Sequence, residues 1–243
     1  MAQMVTFLSD FGSKDAYVAQ VKAVILSSAP SVTIVDITHE VEPFDLVSAG
    51  WLLAASYRHF PRGTVHLAVV DPGVGTARAA LVARKDGHTF VGPDNGVFSF
   101  IYPADEVIEV TWRPGKAVSN TFHGRDLFAP LVVRLVTGHG LGVPGRPMAE
   151  PVRLEVDGPM VVHVDRFGNV ITNIPAERLA RGGGVEINGT RVSRTVSTFA
   201  ELQDGSLGLI CGSSGTIEVV SHRARASDVL CAGPGTPVSL IGP

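Results

Sequence analysis

Strand-like and helical segments alternate along the first 71 residues, and this order restricts the fold more than any other feature of the chain. Apolar runs at residues 4–10, 31–38 and 63–71 are short and end at polar or glycine residues, as buried strands do. Between them, residues 14–30 and 45–61 carry apolar side chains at helical spacing, and each segment stops at a proline. This β-α-β-α-β order predicts a mostly parallel sheet with helices against its faces.

The remainder of the chain predicts one more helix and a change of structural class. Residues 124–138 carry apolar side chains on one face and end at Gly138, a residue type that often caps helices. Glycine and proline then become dense, which predicts a linker at residues 144–151. Beyond it, short β-like runs alternate with turns, and no strong helical pattern occurs. We therefore predict an α/β domain at residues 1–143, with a mostly parallel sheet and flanking helices, and a smaller all-β, barrel-like domain at residues 152–243.

Composition narrows the classes of protein to which this chain can belong. Of the 243 residues, 45% are hydrophobic and 18% are charged, which allows a sizeable core and argues against disorder. The formal net charge is −3 and no basic stripe occurs, so we expect no nucleic-acid partner. We also expect no membrane span and no secretory signal, because no apolar stretch has the length or flanking charges for either. Two cysteines, Cys211 and Cys231, cannot form a disulfide framework, and we expect a cytoplasmic location.

Two aspartates stand where predicted strands end. Asp10 closes the first strand, and Asp71 closes the third within the stretch "VVDPGVGTAR". Ligands of open α/β sheets bind outside the carboxyl ends of the strands, so both carboxylates should lie on the binding edge. The alternative for each is a turn or helix-capping role, which is common for aspartate at such junctions. The glycines after Asp71 allow a ligand to approach the backbone, but the Gly-Lys-Ser/Thr ending of a phosphate-binding loop is absent.

A third polar stretch, "NTFHGRDLFAP" at residues 120–130, adds a histidine. Taken alone, His123 is most simply interpreted as a structural or solvent-exposed residue. Asp126 is most simply interpreted as a cap of the helix that follows. In combination, the strand-end Asp71, Arg78 seven residues later and His123 in its loop can position and polarise a water molecule.

These motifs occur together and in the same order in one family. With "LSDFG", "DPGVGTAR", "GPDNG", "NTFHGRD" and "DRFGNVITNI", nearly the whole chain resembles the S-adenosylmethionine hydroxide adenosyltransferases, relatives of the bacterial fluorinase and chlorinase. The resemblance implies attack of water or hydroxide at C5′ of the ribose, with adenosine and methionine as products and with neither a metal nor a cofactor. It assigns catalysis to Asp71, Arg78 and His123. Because the halogenating relatives have tyrosine in place of Asp71, the resemblance favours water over halide as the nucleophile.

The resemblance also implies how the substrate is bound. Asp10 would hold the ribose hydroxyls, and Phe44 would pack near the substrate, where the fluorinase has tryptophan. In the second domain, Asp165 would bind the amino group of methionine and Ser213 its carboxylate, next to Ser214 where the fluorinase has arginine. The implied substrate contacts are completed by Val74, Phe167 and Asn169. In this family the substrate lies between the first domain of one subunit and the second domain of the next, which implies a homotrimer.

The residues alone are also compatible with two other functions. A metal-dependent phosphoesterase would need a cluster of hard ligands, among which Arg78 would be an unusual neighbour. The candidate ligands are Asp10, Asp71, Asp94, His123 and Asp126. A non-catalytic module that binds adenosine or S-adenosylmethionine would use Asp10 and residues 165–169 for affinity alone, and it would leave Asp71 and His123 without a task.

Overall fold

The chain folds into two compact units, Met1–Leu154 and Glu155–Pro243. The computed structural model describes residues 3–138, 144–180 and 182–242. Across these ranges, no helix combines the length and the apolar character that crossing a membrane requires.

A seven-stranded sheet forms the centre of the first unit. Its strands, in chain order, are β1 (Met4–Ser9), β2 (Thr33–Thr38), β3 (Val65–Val69), β4 (Ala80–Lys85), β5 (His88–Pro93), β6 (Glu106–Val110) and β7 (Gly145–Pro147). In space their order is β2-β1-β3-β5-β4-β6-β7. The pairings from β2 to β5 are parallel, whereas β4, β6 and β7 add antiparallel pairings towards the other edge. Residues from the predicted linker at 144–151 therefore form the edge strand of this sheet.

Helices cover both faces of the sheet and bury two hydrophobic cores. α1 (Tyr17–Ser28) and α3 (Ala129–Val136) pack on one face, and α2 (Leu46–Ser56) packs on the other. Because side chains alternate along a strand, neighbouring residues of β1 enter different cores: Phe7 packs with α1 and α3, and Leu8 packs with α2. Both side chains are fully buried, so β1 is fixed from both sides up to the residue where it ends.

The third helix begins later than its sequence pattern predicts. A helix is expected over residues 124–138, but the structure has a π-helical turn at Gly124–Phe128 before α3 starts. Pro130 has no backbone N–H and is tolerated only in the first turn of an α-helix, which is where it lies. After the helix, Gly138 has a φ of +61°, the left-handed conformation of a glycine cap.

The second unit consists mainly of two antiparallel sheets. One has the order β12-β13-β9-β8 and the other the order β11-β10-β14. The strands are β8 (Val161–Val164), β9 (Val170–Pro175), β10 (Gly184–Ile187), β11 (Thr190–Val192), β12 (Leu207–Cys211), β13 (Thr216–Ser221) and β14 (Ser239–Ile241). A short helix, α4 (Ala226–Leu230), which the sequence pattern does not indicate, packs with them around one core. The predicted fold class, an α/β domain followed by a β domain, is confirmed.

Candidate active site

The carboxyl ends of β1 and β3 place two acidic side chains next to each other. These strands are parallel neighbours, with Ser9 opposite Val69, so Asp10 and Asp71 leave the sheet at the same edge. There both residues line a cavity of about 280 Å³, together with His123. One side of the first unit thus collects residues from three separate stretches of the sequence.

Asp71 and Arg78 form a buried ion pair with two hydrogen bonds. Arg78 Nε donates to Asp71 Oδ1 at 2.8 Å, and Arg78 Nη2 donates to Asp71 Oδ2. Only 5% of the Asp71 side chain and 9% of the Arg78 side chain are exposed. The guanidinium carbon of Arg78 also lies 5.1 Å from the centroid of the Phe128 ring. Bidentate pairing fixes the plane of the carboxylate, so Asp71 has one orientation towards the cavity.

His123 joins this pair through the arginine. Its Nδ1 atom lies 2.8 Å from Arg78 Nη2. Because a guanidinium has only donors, Nδ1 must accept this hydrogen bond, and the proton of the neutral ring must be on Nε2. Burial, followed by the positive charge of Arg78, lowers the pKa of His123 below its usual value. At neutral pH the ring is therefore uncharged, with Nε2 as its donor.

A glycine allows the loop after β3 to pack against the loop that carries His123. Gly75 has a φ of +79°, a conformation that side chains disfavour. A β-carbon at this position would lie only 2.2 Å from the backbone oxygen of Asn120. Two successive turns in the same loop return the chain from Asp71 to Arg78. The contact between Arg78 and His123 therefore depends on a close backbone approach that glycine permits.

Asp10 anchors a neighbouring loop at the rim of the cavity. Its Oδ2 atom accepts a hydrogen bond from the backbone N–H of Phe44 at 3.0 Å. Phe44 has a φ of 69°, which is uncommon for a bulky residue, and it remains 63% exposed. Burial raises the pKa of Asp10, and the charge of Asp71 adds to this effect. Phe44 and Val74 both line the cavity, so three of the residues that the resemblance assigns to the substrate meet here.

Three aromatic residues line the cavity that no sequence motif identifies as part of a site. Phe11, Tyr17 and Phe122 line it and pack edge to face, with ring centroids 5.2 to 5.9 Å apart. Phe11 directly follows Asp10 and Phe122 directly precedes His123, and this adjacency is the only signal that points to them. Together they give the cavity an apolar wall.

The second unit carries the other residues that the resemblance assigns to the substrate. Asp165 organises its own turn: Oδ1 accepts from the backbone N–H groups of Phe167 and Asn169, and Oδ2 accepts from Asn169 Nδ2, all at 2.9 Å. Phe167 is 75% exposed on this turn, and Asn169 is buried. Ser213 is exposed in the turn between β12 and β13. The Asp165 turn therefore presents an aromatic ring to the outside on a backbone that the Asp165 carboxylate holds by hydrogen bonds.

Acidic residues proposed as metal ligands are bound to other partners. Asp94 Oδ1 accepts a hydrogen bond from the Val152 N–H at 2.8 Å, and Asp126 Oδ1 lies 2.6 Å from Arg125 Nε. Over the described parts of the chain, no three His, Cys, Asp or Glu side chains are arranged to hold a metal ion. The geometry of these residues therefore does not favour the phosphoesterase hypothesis.

Two family models match most of the chain. The SAM hydroxide adenosyltransferase N-terminal domain matches residues 5–144, and the C-terminal domain of the same family matches residues 159–239. The chain belongs to this family. The resemblance that rests on the sequence motifs is thereby confirmed.

Similar proteins carry names that agree with the family. A protein of Thermus thermophilus named (R)-S-adenosyl-L-methionine hydrolase is 41% identical over 98% of this chain and 99% of its own length. One with the same name from Salinispora arenicola is 37% identical over 95% of each chain. A fluorinase of Nocardia brasiliensis is 29% identical over 76% of each chain. A crystal structure of an uncharacterized conserved protein from Thermotoga maritima is 35% identical, with a TM-score of 0.89 over 98% of this chain and 100% of that one.

Proposed function

We propose that this protein hydrolyses S-adenosyl-L-methionine to adenosine and L-methionine, by attack of water at C5′ of the ribose. The observation that carries the proposal is the buried ion pair of Asp71 and Arg78, joined by His123 beside an aromatic-lined cavity. Membership of the hydroxide adenosyltransferase family and the names of the hydrolases at 37–41% identity support the same reaction.

The chemistry needs little more than a well-held water molecule. The leaving group is a neutral thioether that departs from a sulfonium, so it requires no general acid. Holding a nucleophile in line with the bond that breaks is worth on the order of 7–11 kcal/mol. The reaction as proposed therefore requires no metal and no cofactor.

We assign the proton of the attacking water to Asp71. Each carboxylate oxygen has two lone pairs, and Arg78 donates one hydrogen bond to each oxygen, which leaves acceptor capacity for a water. His123 is a weaker candidate because its Nδ1 already accepts from Arg78 and its Nε2 carries the proton. As the C–O bond forms, the water oxygen loses electron density and its proton moves to Asp71. A positioned water, rather than preformed hydroxide, is then the nucleophile.

Substrate recognition divides between the two units. In the first, we assign the ribose hydroxyls to Asp10, whose half-buried carboxylate lies at the cavity, and the adenosine surface to Phe44 and Val74. In the second, we assign the methionine or adenine contacts to Asp165, Phe167, Asn169 and Ser213, on the strength of the motif match. Asp10→Ala should then weaken nucleoside binding, measured by calorimetry with adenosine, and unchanged affinity would remove the ribose assignment.

The relatives' names specify the (R) configuration at sulfur, and we extend this preference to the present chain. The test is to incubate the protein separately with the (R) and (S) epimers of S-adenosyl-L-methionine and to measure adenosine. Faster turnover of the (S) epimer would overturn the extension but not the reaction.

We further propose a homotrimer in which each active site lies between the first unit of one subunit and the second unit of the next. Large apolar side chains that remain exposed in the single chain support association, among them Tyr17 (47%), Phe44 (63%) and Phe167 (75%). Light scattering coupled to size-exclusion chromatography tests the assembly. We place the protein in the cytoplasm, and two exposed, unpaired cysteines, Cys211 and Cys231, are consistent with such a reducing compartment.

One experiment tests the reaction and its nucleophile together. The purified protein is incubated with S-adenosyl-L-methionine in ¹⁸O-labelled water, with and without halide and a chelator. We expect ¹⁸O at C5′ of adenosine, in amounts that neither halide nor chelator changes. Asp71→Ala should abolish this turnover while substrate still binds. Halogenated nucleoside as the main product would contradict the assignment of water, and absence of turnover in the wild type would favour the non-catalytic alternative.

A further inference from the structure

A second and larger cavity adjoins the loop that carries His123. Its volume is about 610 Å³, which is within the range of small-molecule sites. It lies between α1, α3 and the loop after β6, and its lining includes Val24, Trp112, Lys116, Arg125, Val133 and Arg134. None of the residues that we assign to S-adenosyl-L-methionine lines this cavity.

Positive charge is in excess on its walls. One basic residue, Arg125, is neutralised by Asp126 through two hydrogen bonds of 2.6 and 2.9 Å. The other two, Lys116 and Arg134, form neither a hydrogen bond nor an ion pair with any residue of ranges 3–138, 144–180 and 182–242. Two cationic side chains in a concave site therefore have no anionic partner among these residues.

The other walls are apolar and include one aromatic ring. The guanidinium carbon of Arg134 lies 6.0 Å from the centroid of the Trp112 ring, so packing holds the cation beside the ring. Val24 and Val133 add aliphatic surface. An inorganic anion would leave this apolar surface unused, and a neutral or cationic ligand would leave the two positive charges unpaired. We propose that this cavity binds a small aromatic carboxylate.

Contacts between the two cavities can couple a ligand bound here to the active site. The Arg125 guanidinium lies over the Phe122 ring at 4.9 Å, and Phe122 lines the active-site cavity. Asp126 Oδ2 accepts from the backbone N–H of Ser119 at 3.0 Å, next to the loop of His123. A ligand in this cavity contacts both Arg125 and Asp126, which line it, and it therefore acts on the contacts that hold this loop. We infer an effector role for the bound carboxylate.

Tryptophan fluorescence provides a direct test with benzoate as the probe. The chain has two tryptophans, and Trp51→Phe leaves Trp112 as the sole reporter. We expect benzoate to quench the Trp112 emission with a Kd at least tenfold lower than that of benzamide, its neutral analogue. Arg134→Met and Lys116→Met should each raise the Kd for benzoate at least fivefold. The matched control is Arg146→Met, because Arg146 pairs with Glu109 and does not line the cavity.

Each outcome decides one part of the proposal. Equal affinities for benzoate and benzamide, or unchanged affinity in both charge variants with native circular dichroism spectra, would overturn the carboxylate site. Lys116 is exposed, so its variant keeps the test valid even where Arg134→Met fails to fold. In a parallel assay of wild-type turnover, saturating benzoate should change KM or kcat at least twofold. Binding without any kinetic change would overturn the effector role alone.

Discussion

Removal of the positive charge from the buried pair tests how strongly the structure holds Asp71. We expect Arg78→Met to lower the free energy of unfolding by about 3–5 kcal/mol, because it leaves an uncompensated charge in a buried position. This range applies because only 5% of the Asp71 side chain and 9% of the Arg78 side chain are exposed. Methionine keeps an apolar chain against Phe128, so the change in stability reports mainly the lost charge.

Urea unfolding at a fixed protein concentration, followed by circular dichroism, measures this difference. Arg84→Met is a matched control, because Arg84 pairs with Glu106 at 2.8 Å while both side chains are nearly half exposed. Such a surface pair is worth about 0–1 kcal/mol. If the two variants lost the same stability within about 1 kcal/mol, our reasoning about the buried pair would be refuted.

Turnover separates the folding role of the pair from its proposed catalytic role. In Arg78→Met we expect turnover to fall by about 10²–10⁴-fold, the usual contribution of a positioned acid or base. The double variant Asp71→Asn/Arg78→Met removes both charges, so it should recover part of the lost stability but none of the turnover. Recovery of turnover together with stability would show that the pair serves folding alone.

Three further measurements test the loops and the titrating residues. In Gly75→Ala the added methyl group would lie 2.2 Å from the Asn120 backbone oxygen, so we expect kcat to fall at least tenfold. The control is Gly63→Ala: Gly63 also has a positive φ, +90°, but open space surrounds it, so kcat should stay unchanged. Burial lowers the pKa of His66 to about 3, so its contribution to stability is complete above pH 6.5 and is lost as the pH falls towards 3. At 1.36 kcal/mol per pH unit the loss reaches roughly 3 kcal/mol by pH 4, which urea unfolding between pH 7.5 and 4 should show and His66→Gln should reduce. Because the pKa of His123 is lowered, kcat should stay constant as the pH falls through 6.5, and a decline centred there would contradict an uncharged ring.

Three strands of the parallel half of the sheet, β1, β2 and β3, can be predicted because each has a local signal. The apolar runs at residues 4–10 and 63–71 become β1 and β3, since their short length and their polar ends suit buried strands. The edge strand β7 has no such signal. Its residues Gly145–Pro147 are rich in the residue types of linkers, and they form a strand only because β6 offers a free edge more than 30 residues earlier in the chain.

In the candidate active site, too, only residues with a local signal can be predicted from the sequence. Asp71 can be placed on the binding edge because it directly follows a strand, and the position of a strand end is a local property. The contact between Arg78 and His123 joins residues 45 positions apart, and it requires the backbone approach at Gly75. No periodicity or residue spacing in the sequence indicates that the two loops approach each other. The aromatic wall is equally hidden, because its three rings come from different segments and share no pattern.

In the proposed reaction, the charge on Asp71 would make a water molecule a better nucleophile at this site than a halide. A halide arrives as an anion and loses negative charge as its bond to carbon forms, so a neighbouring carboxylate repels it most before the reaction. A water molecule arrives neutral and gains positive charge in the transition state, so the attraction to Asp71 grows as the reaction proceeds. Only interactions that strengthen towards the transition state accelerate the chemical step. Arg78 fixes the orientation of the carboxylate, and the uncharged His123 adds no positive charge that would attract a halide. If the three side chains act as proposed, they therefore promote attack by water and disfavour attack by an anion.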